Sequence, residues 1–106
     1  MSTQLKKGVL EMVVLSKVDM KDRYGYDIYQ EISKNMAISE STIYPILRKM
    51  TKDGYTETYL RESSVGPARK YFRLTSKGKN RLVDLKRDWE KFQRVVNKMI
   101  RSDRYE

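Results

Sequence analysis

The sequence predicts a mainly α chain that carries one β-hairpin and ends in a single long helix, and three observations predict it. Apolar residues recur at helical period in three short stretches, the last closing at Asp53-Gly54. Between Tyr55 and Leu74 the period drops to two, interrupted by the turn composition Ser63-Ser-Val-Gly-Pro-Ala68. From Leu82 to Met99 the apolar residues are spaced 3, 4, 3, 4 and 3, which is a heptad seam. Three helices followed by a two-stranded hairpin is the order of a winged helix-turn-helix. The expected division is therefore residues 1–75 as a winged helix-turn-helix domain and 76–106 as a C-terminal dimerisation helix.

The first helix is read from Thr3 or Gln4 to about Val18. Leu5, Val9, Met12, Val13 and Leu15, with Val14 and Val18, make an apolar surface wider than one stripe, so the helix should be buried on two sides. Lys6 and Lys7 oppose the helix dipole at that end; they are either two cations near a phosphate or plain solvated lysines. Asp19 to Arg23 is a polar break. Tyr24-Gly-Tyr-Asp-Ile-Tyr-Gln-Glu-Ile32 opens a second helix, with Tyr24, Ile28 and Ile32 turned to the core at four-residue steps. Gly25 either permits a close backbone approach or starts the helix. Ser33 to Ala37 is short enough to hold the next helix at a steep angle.

That third helix is the one the chain presents. Ser39 stands at the N-cap, with a hydroxyl suited to accept from the first-turn N–H groups. Ile43, Ile46, Leu47 and Met50 form one buried stripe. At about 100° per residue the opposite face carries Ser41, Tyr44, Pro45, Arg48 and Lys52, with Thr42 and Lys49 on its flanks. Hydroxyls, a phenol and cations, with little acid beyond Glu40, are what a helix needs to read a major groove. Pro45 leaves the Ser41 carbonyl without its intrahelical donor, and Gly54 supplies the C′ position.

In the hairpin, Tyr55, Glu57, Tyr59 and Arg61 alternate with Thr56, Thr58 and Leu60, then Lys70, Phe72 and Leu74 with Arg69, Tyr71 and Arg73. Arg69 and Lys70, at the base of the loop, would meet phosphates beside the duplex. Thr75 is the N-cap of a last helix running to about Arg101, ~39 Å long at 1.5 Å per residue. Its seam is Leu82, Leu85, Trp89, Phe92, Val96 and Met99, widened by Val95 and Ile100, with Asp84–Arg87 and Glu90–Arg94 as surface pairs. Shorter helices cannot cover a seam of this length. A homodimer through this helix, with helix 1 of the partner added, is the expected cover.

Composition narrows the function. Against 14 acidic residues stand 23 Lys and Arg, a formal charge of +9, which draws the chain to polyanions. There is no Cys and no His, so disulfides, thiolate metal sites and the commonest general base are excluded, and no catalytic or metal site is expected. No apolar run reaches the ~20 residues that span a bilayer, and the N-terminus reads as helix, not signal peptide. No cofactor and no membrane partner are called for, and a cytoplasmic protein is the expectation.

With its elements placed, the sequence resembles the PadR family of bacterial transcriptional regulators almost end to end. The segments that carry the resemblance are Leu5-Lys-Lys-Gly-Val-Leu-Glu-Met12, Tyr24-Gly-Tyr-Asp-Ile28, Ile38-Ser-Glu-Ser-Thr-Ile-Tyr-Pro-Ile-Leu47, Lys52-Asp-Gly-Tyr55 and Gly66-Pro-Ala-Arg-Lys-Tyr-Phe-Arg-Leu-Thr75. The length is similar to that of the small subfamily with one C-terminal dimerisation helix. The resemblance implies a dimeric winged-helix repressor on double-stranded DNA with a two-fold symmetric operator, cytoplasmic and on the nucleoid when bound. It maps duplex contacts onto Ser41, Thr42, Tyr44 and Lys49, and onto Gly66, Pro67, Arg69 and Lys70 of the wing. With Ser39 and Arg48 of the third helix these make up the candidate DNA-binding set.

Small relatives that answer multidrug ligands use a tryptophan of the last helix across the dimer axis, and Trp89 occupies the comparable place. Two indoles facing each other could wall a slot for flat aromatics or apolar cations, with Phe92 and with Leu5, Val9 and Met12 of helix 1. The alternative is a seam residue that only packs. Two rival classes stand beside the regulator. A winged-helix protein-interaction module would bind duplexes weakly and uniformly. A binder of anionic membranes would use the basic last helix, although its seam is better buried in a dimer. The operator, the regulated genes and the effector are not written in the sequence.

Overall fold

Helix α1 (Thr3–Met20) is the element on which the others pack. The computed structural model describes residues 3–102, and the side chains of residues 9–101. On one side of α1, Leu10, Val14 and Val18 close a core with Ile28, Ile32, Ile43, Leu47 and Phe72. On the other, Leu15 meets Met50 and Leu82. This is the two-sided burial that the width of the apolar pattern calls for. Each fully buried aliphatic side chain contributes about 1.5–3 kcal/mol. Leu5, Lys6 and Lys7 fall outside the described side chains.

Where the sequence suggests only a polar break, the chain forms a short strand, β1 (Arg23–Tyr24). Arg23 is buried, its Nε donating to the Lys17 carbonyl at 2.9 Å. The guanidinium thus closes the negative end of α1. Tyr24 is extended and belongs to the strand, so α2 (Gly25–Ser33) begins one residue later than the apolar spacing suggests. Ile28 and Ile32 are buried as expected, whereas Tyr24 is half-buried on the sheet.

Helix α3 (Glu40–Lys52) has Ser39 at its N-cap in extended conformation, but the side chain makes no cap hydrogen bond. Its hydroxyl lies 2.8 Å from that of Ser41 and 3.2 Å from that of Thr42, so neighbouring hydroxyls take the place of the first-turn N–H groups. The C-terminal end behaves as read. Gly54 takes φ +81°, Tyr55 N donates to Met50 O and Gly54 N to Thr51 O, a Schellman closure.

Strands β2 (Thr56–Ser63) and β3 (Gly66–Leu74) form the hairpin, and β1 adds to the far side of β3, giving an antiparallel sheet ordered β1-β3-β2. The expected two-stranded wing is therefore three-stranded at its root. Its tip is shorter than the turn composition suggested, because Ser63 already pairs with Gly66. Between that pair and Arg61↔Arg69 the β3 side holds one residue more, a bulge at Pro67-Ala68. A proline is tolerated there because the ladder is interrupted, and β1 pairs only as far as Tyr71.

Thr75 caps α4 (Ser76–Ser102): its Oγ1 accepts from Gly78 N at 3.0 Å and donates to Gly54 O at 2.7 Å. One hydroxyl thereby ties the start of the last helix to the end of α3. Leu82 is buried and Leu85 packs beside it against the core. Past that point α4 leaves the body, which gives the molecule a length of 63 Å. On the projecting half, Phe92 is 60% exposed and Met99 57%, with Trp89 at 39%.

Candidate nucleic-acid interface

The outward side of α3 is built as its spacing predicts, with one exception. Ile43, Leu47 and Met50 are fully buried, while Ser41, Pro45, Arg48 and Lys52 are exposed. The Ser39, Ser41 and Thr42 hydroxyls cluster at its N-terminus, where unpaired N–H groups and the helix dipole also favour an anion. The exception is Tyr44. Its ring is half-buried against the core and lies against Gly25, where a Cβ would stand 3.0 Å from Cε1. Burial, and then the carboxylate of Glu40, raise its phenol above the usual value. Gly25 is thus a close-approach glycine, and it lets the start of α2 pack against the Tyr44 and Leu47 side chains of α3.

Beside that contact a cleft of about 360 Å³ opens between α3, the start of α2 and the wing. Arg48 lines it from α3 and Arg69 and Lys70 from β3, with the rings of Tyr24, Tyr26 and Tyr44, while Gly25, Leu47 and Phe72 add to a mainly apolar lining. Three cations and three tyrosines converge, and among the described residues no carboxylate lines the cleft. The two phenols on the α2 side are not in the candidate set drawn from the sequence. Their signal was the Tyr24-Gly-Tyr26 spacing, which a core reading of Tyr24 absorbed.

Lys49 is held elsewhere. Its Nζ lies 2.7 Å from Glu11 Oε1 on α1, and the other oxygen of that carboxylate lies 3.9 Å from Arg81 of α4. The Glu11 contact holds the Lys49 ammonium above its ordinary pKa. One carboxylate therefore bridges α3, α1 and α4. The Nε of Arg81 is buried with no hydrogen-bond partner among the described residues.

On the wing, Gly66 and Pro67 are exposed near the tip. The outer face of the sheet carries a row of rings: Tyr59 stacks on Tyr71 at 5.8 Å, and Tyr71 meets Tyr24 at 5.9 Å. Three arginines lie across them diagonally, Arg69 over Tyr24 at 4.7 Å, Arg61 over Tyr71 at 5.1 Å and Arg73 over Tyr59 at 5.0 Å. Tyr59 donates to Asp22 at 2.7 Å, a bond that raises its phenol and ties the wing to the end of α1.

A second, apolar hollow of about 370 Å³ lies where α4 leaves the body, lined by Val9, Met12, Leu85, Asp88, Trp89 and Phe92. Four of the five residues expected around an indole slot meet there, and Leu5 lies outside the described side chains. Asp88, on the rim, was missed because its helix position reads as solvent-facing. Of the remaining seam residues, Val96 is half-buried and Met99 exposed. Among the described residues no group of three or more His, Cys, Asp or Glu is placed to hold a metal, and no helix is long and apolar enough to cross a membrane.

Comparison with known proteins places this geometry. The model of the transcriptional regulator PadR-like family matches residues 14–84. A protein of Lysinibacillus sphaericus described only as uncharacterized is 36% identical over 95 residues, spanning 86% of this chain and 87% of that one. A PadR-like transcriptional regulator from Bacillus cereus superposes with a TM-score of 0.83 at 36% identity, covering 92% of this chain and 97% of its own. A structure from Streptococcus mutans gives 0.81 at 39% identity, over 89% and 88%. A PadR family transcription regulator from Clostridium difficile gives 0.80 at 29% identity, over 87% and 98%.

Proposed function

Because this chain belongs to the PadR-like family of transcriptional regulators, we propose that it works as a dimeric repressor that binds a two-fold symmetric operator, with residues 1–75 holding the duplex and residues 76–106 holding the two copies together. The observation that carries this reading is the cleft between α3 and the wing, where Arg48, Arg69 and Lys70 converge with no acid among the lining residues. In this reading α3 enters the major groove. Ser39, Ser41 and Thr42 face its floor, and Tyr44 and Arg48 lie along one wall. Gly66, Pro67, Arg69 and Lys70 follow the backbone alongside. Lys49 reaches a phosphate only by exchanging Glu11 for it. The second half of α4 supports the pairing, since Phe92, Val95 and Ile100 are exposed large apolar residues on the single chain. The cytoplasm is where such a regulator meets its operator.

Selection of bound duplexes from random DNA tests this directly. The expected result is a consensus with two-fold symmetry. Uniform weak binding with no consensus would move the chain to the interaction-module class.

A second reading rests on the hollow around Trp89. It offers an indole, a phenyl ring and aliphatic walls with a carboxylate at the rim, a chemistry suited to flat aromatic cations. Such an effector would sit at the dimer axis and relieve repression by shifting the spacing of the two α3 helices. Trp89 is the sole tryptophan, so its emission should quench when a planar cationic dye is titrated in. Flat titrations across a varied panel would leave Trp89 a packing residue.

A further inference from the structure

On the outer face of the wing, the two rows of cross-strand pairs that flank the Tyr59–Tyr71 row are built in opposite ways. Arg73 stands directly opposite Glu57 and bonds it at 2.9 Å. At the tip end of the same face, beyond the tyrosine row, Arg61 stands directly opposite Arg69. Like charges placed opposite one another destabilise a sheet, and neither guanidinium has an ion pair among the described residues. What holds them is aromatic: Tyr71 lies under Arg61 and Tyr24 under Arg69.

The rings lie 5.1 and 4.7 Å from the two guanidinium carbons, and a guanidinium set over a ring can still offer its N–H edges to another partner. Those edges are forks that match phosphate oxygens two at a time. Opposed residues on neighbouring strands have Cβ atoms roughly 5 Å apart, so the two forks can address neighbouring phosphates of one backbone. Their orientation is set before any ligand arrives, which lowers the ordering cost of binding. Arg69 also lines the cleft that holds Arg48 and Lys70. The cations therefore form one track from α3 across the sheet to Arg61.

We propose that the outer face of the wing is a phosphate-binding surface for duplex DNA, with Arg61 and Arg69 acting as a paired clamp on the backbone beyond the groove that α3 enters. This rests on the duplex-binding reading above, and it adds Arg61 and a face of the sheet that the tip residues do not include. A single strand is disfavoured because the tyrosine faces on which bases would stack are already covered by arginine.

The test is a salt titration of full-length protein on a selected duplex, comparing the wild type with Arg61→Gln, Arg61→Lys and, on α3, Arg48→Gln. Each lost phosphate contact lowers the slope of log K against log salt by about 0.9. For two copies the slope should fall by about 1.8, and affinity at 0.1 M salt roughly sixtyfold, in Arg61→Gln. Arg61→Lys keeps the charge and should keep most of the slope. Melting temperatures of both variants should stay near wild type: in Arg61→Gln relief of the like-charge pair offsets the lost ring contact, and in Arg61→Lys a cation still faces Arg69 and the Tyr71 ring. Arg48→Gln weakened with Arg61→Gln unchanged would overturn the clamp and leave the duplex reading standing. A wild type that binds no duplex would overturn both. Equal slope losses in Arg61→Gln and Arg61→Lys, or a lower melting temperature with an unchanged slope, would make Arg61 a packing residue. Weakening confined to a single strand of the same sequence would also refute the proposal.

Discussion

Removing the ring of Phe92 tests the pairing of two copies at its most exposed point. The side chain is 60% exposed on the single chain, and a large aromatic offers ~200 Å². Roughly 120 Å² of ring per copy thus awaits cover, about twice that in a symmetric pair. At ~25 cal/mol per Å² the burial amounts to about 6 kcal/mol per dimer, and about half that once the costs of association and incomplete burial are counted. Phe92→Ala should therefore raise the dimer Kd by roughly a hundred- to ten-thousandfold. The fold of the single chain should hold, since the cores are made by Leu10, Val14, Ile28, Ile43 and Leu47 on one side and by Leu15, Met50 and Leu82 on the other. Sedimentation equilibrium across nanomolar to micromolar concentrations reads both constants. A wild type that is monomeric at micromolar concentration refutes the pairing, and a Phe92→Ala protein as dimeric as the wild type refutes the seam.

Four further outcomes follow from the same geometry. Lys70→Gln should weaken all duplexes alike and flatten the salt slope by about 0.9 per contact, read by fluorescence anisotropy. Glu11→Gln frees Lys49 and should tighten duplex binding roughly two- to fivefold, the range of a surface ion pair; unchanged or weaker binding would mean that Lys49 plays no part. Gly25→Ala places a methyl 3.0 Å from the Tyr44 ring and should cost about 1–2 kcal/mol in thermal melts, with the penalty reduced in the Gly25→Ala/Tyr44→Ala pair. Burial raises the Tyr44 phenol, so the neutral form is favoured by folding. Its contribution is complete below the unfolded value near 10 and is lost as pH rises through the folded value, so Tyr44→Phe should lose less stability than wild type in alkaline melts.

Much of this molecule is legible in its sequence because single residues set its boundaries. Ile43, Leu47 and Met50 are buried as their spacing reads, with Ile46 half-buried beside them. Gly54 as a helix stop and Thr75 as a helix start act through local backbone chemistry and appear as read. The hairpin follows from its period of two, although its tip tightens to Ser64-Val65 because Pro67 is absorbed in a bulge. What was hidden depends on contacts distant in sequence. A two-residue strand has no period to detect, so β1 and the burial of Arg23 carried no signal. Helical angle alone puts Tyr44 outside and Lys49 free, but Gly25 draws the first inward and Glu11, 38 residues away, takes the second. Ser39 occupies the cap position without making the cap bond, because the Ser41 and Thr42 hydroxyls are better placed to engage it.

The central claim is that two copies present their α3 helices at one fixed spacing. Inserting five base pairs between the halves of the selected duplex rotates them by about half a helical turn. If the α4 pairing fixes that spacing, binding falls to the level of unrelated DNA. If affinity is unchanged by the insertion, each copy binds independently and the claim is contradicted.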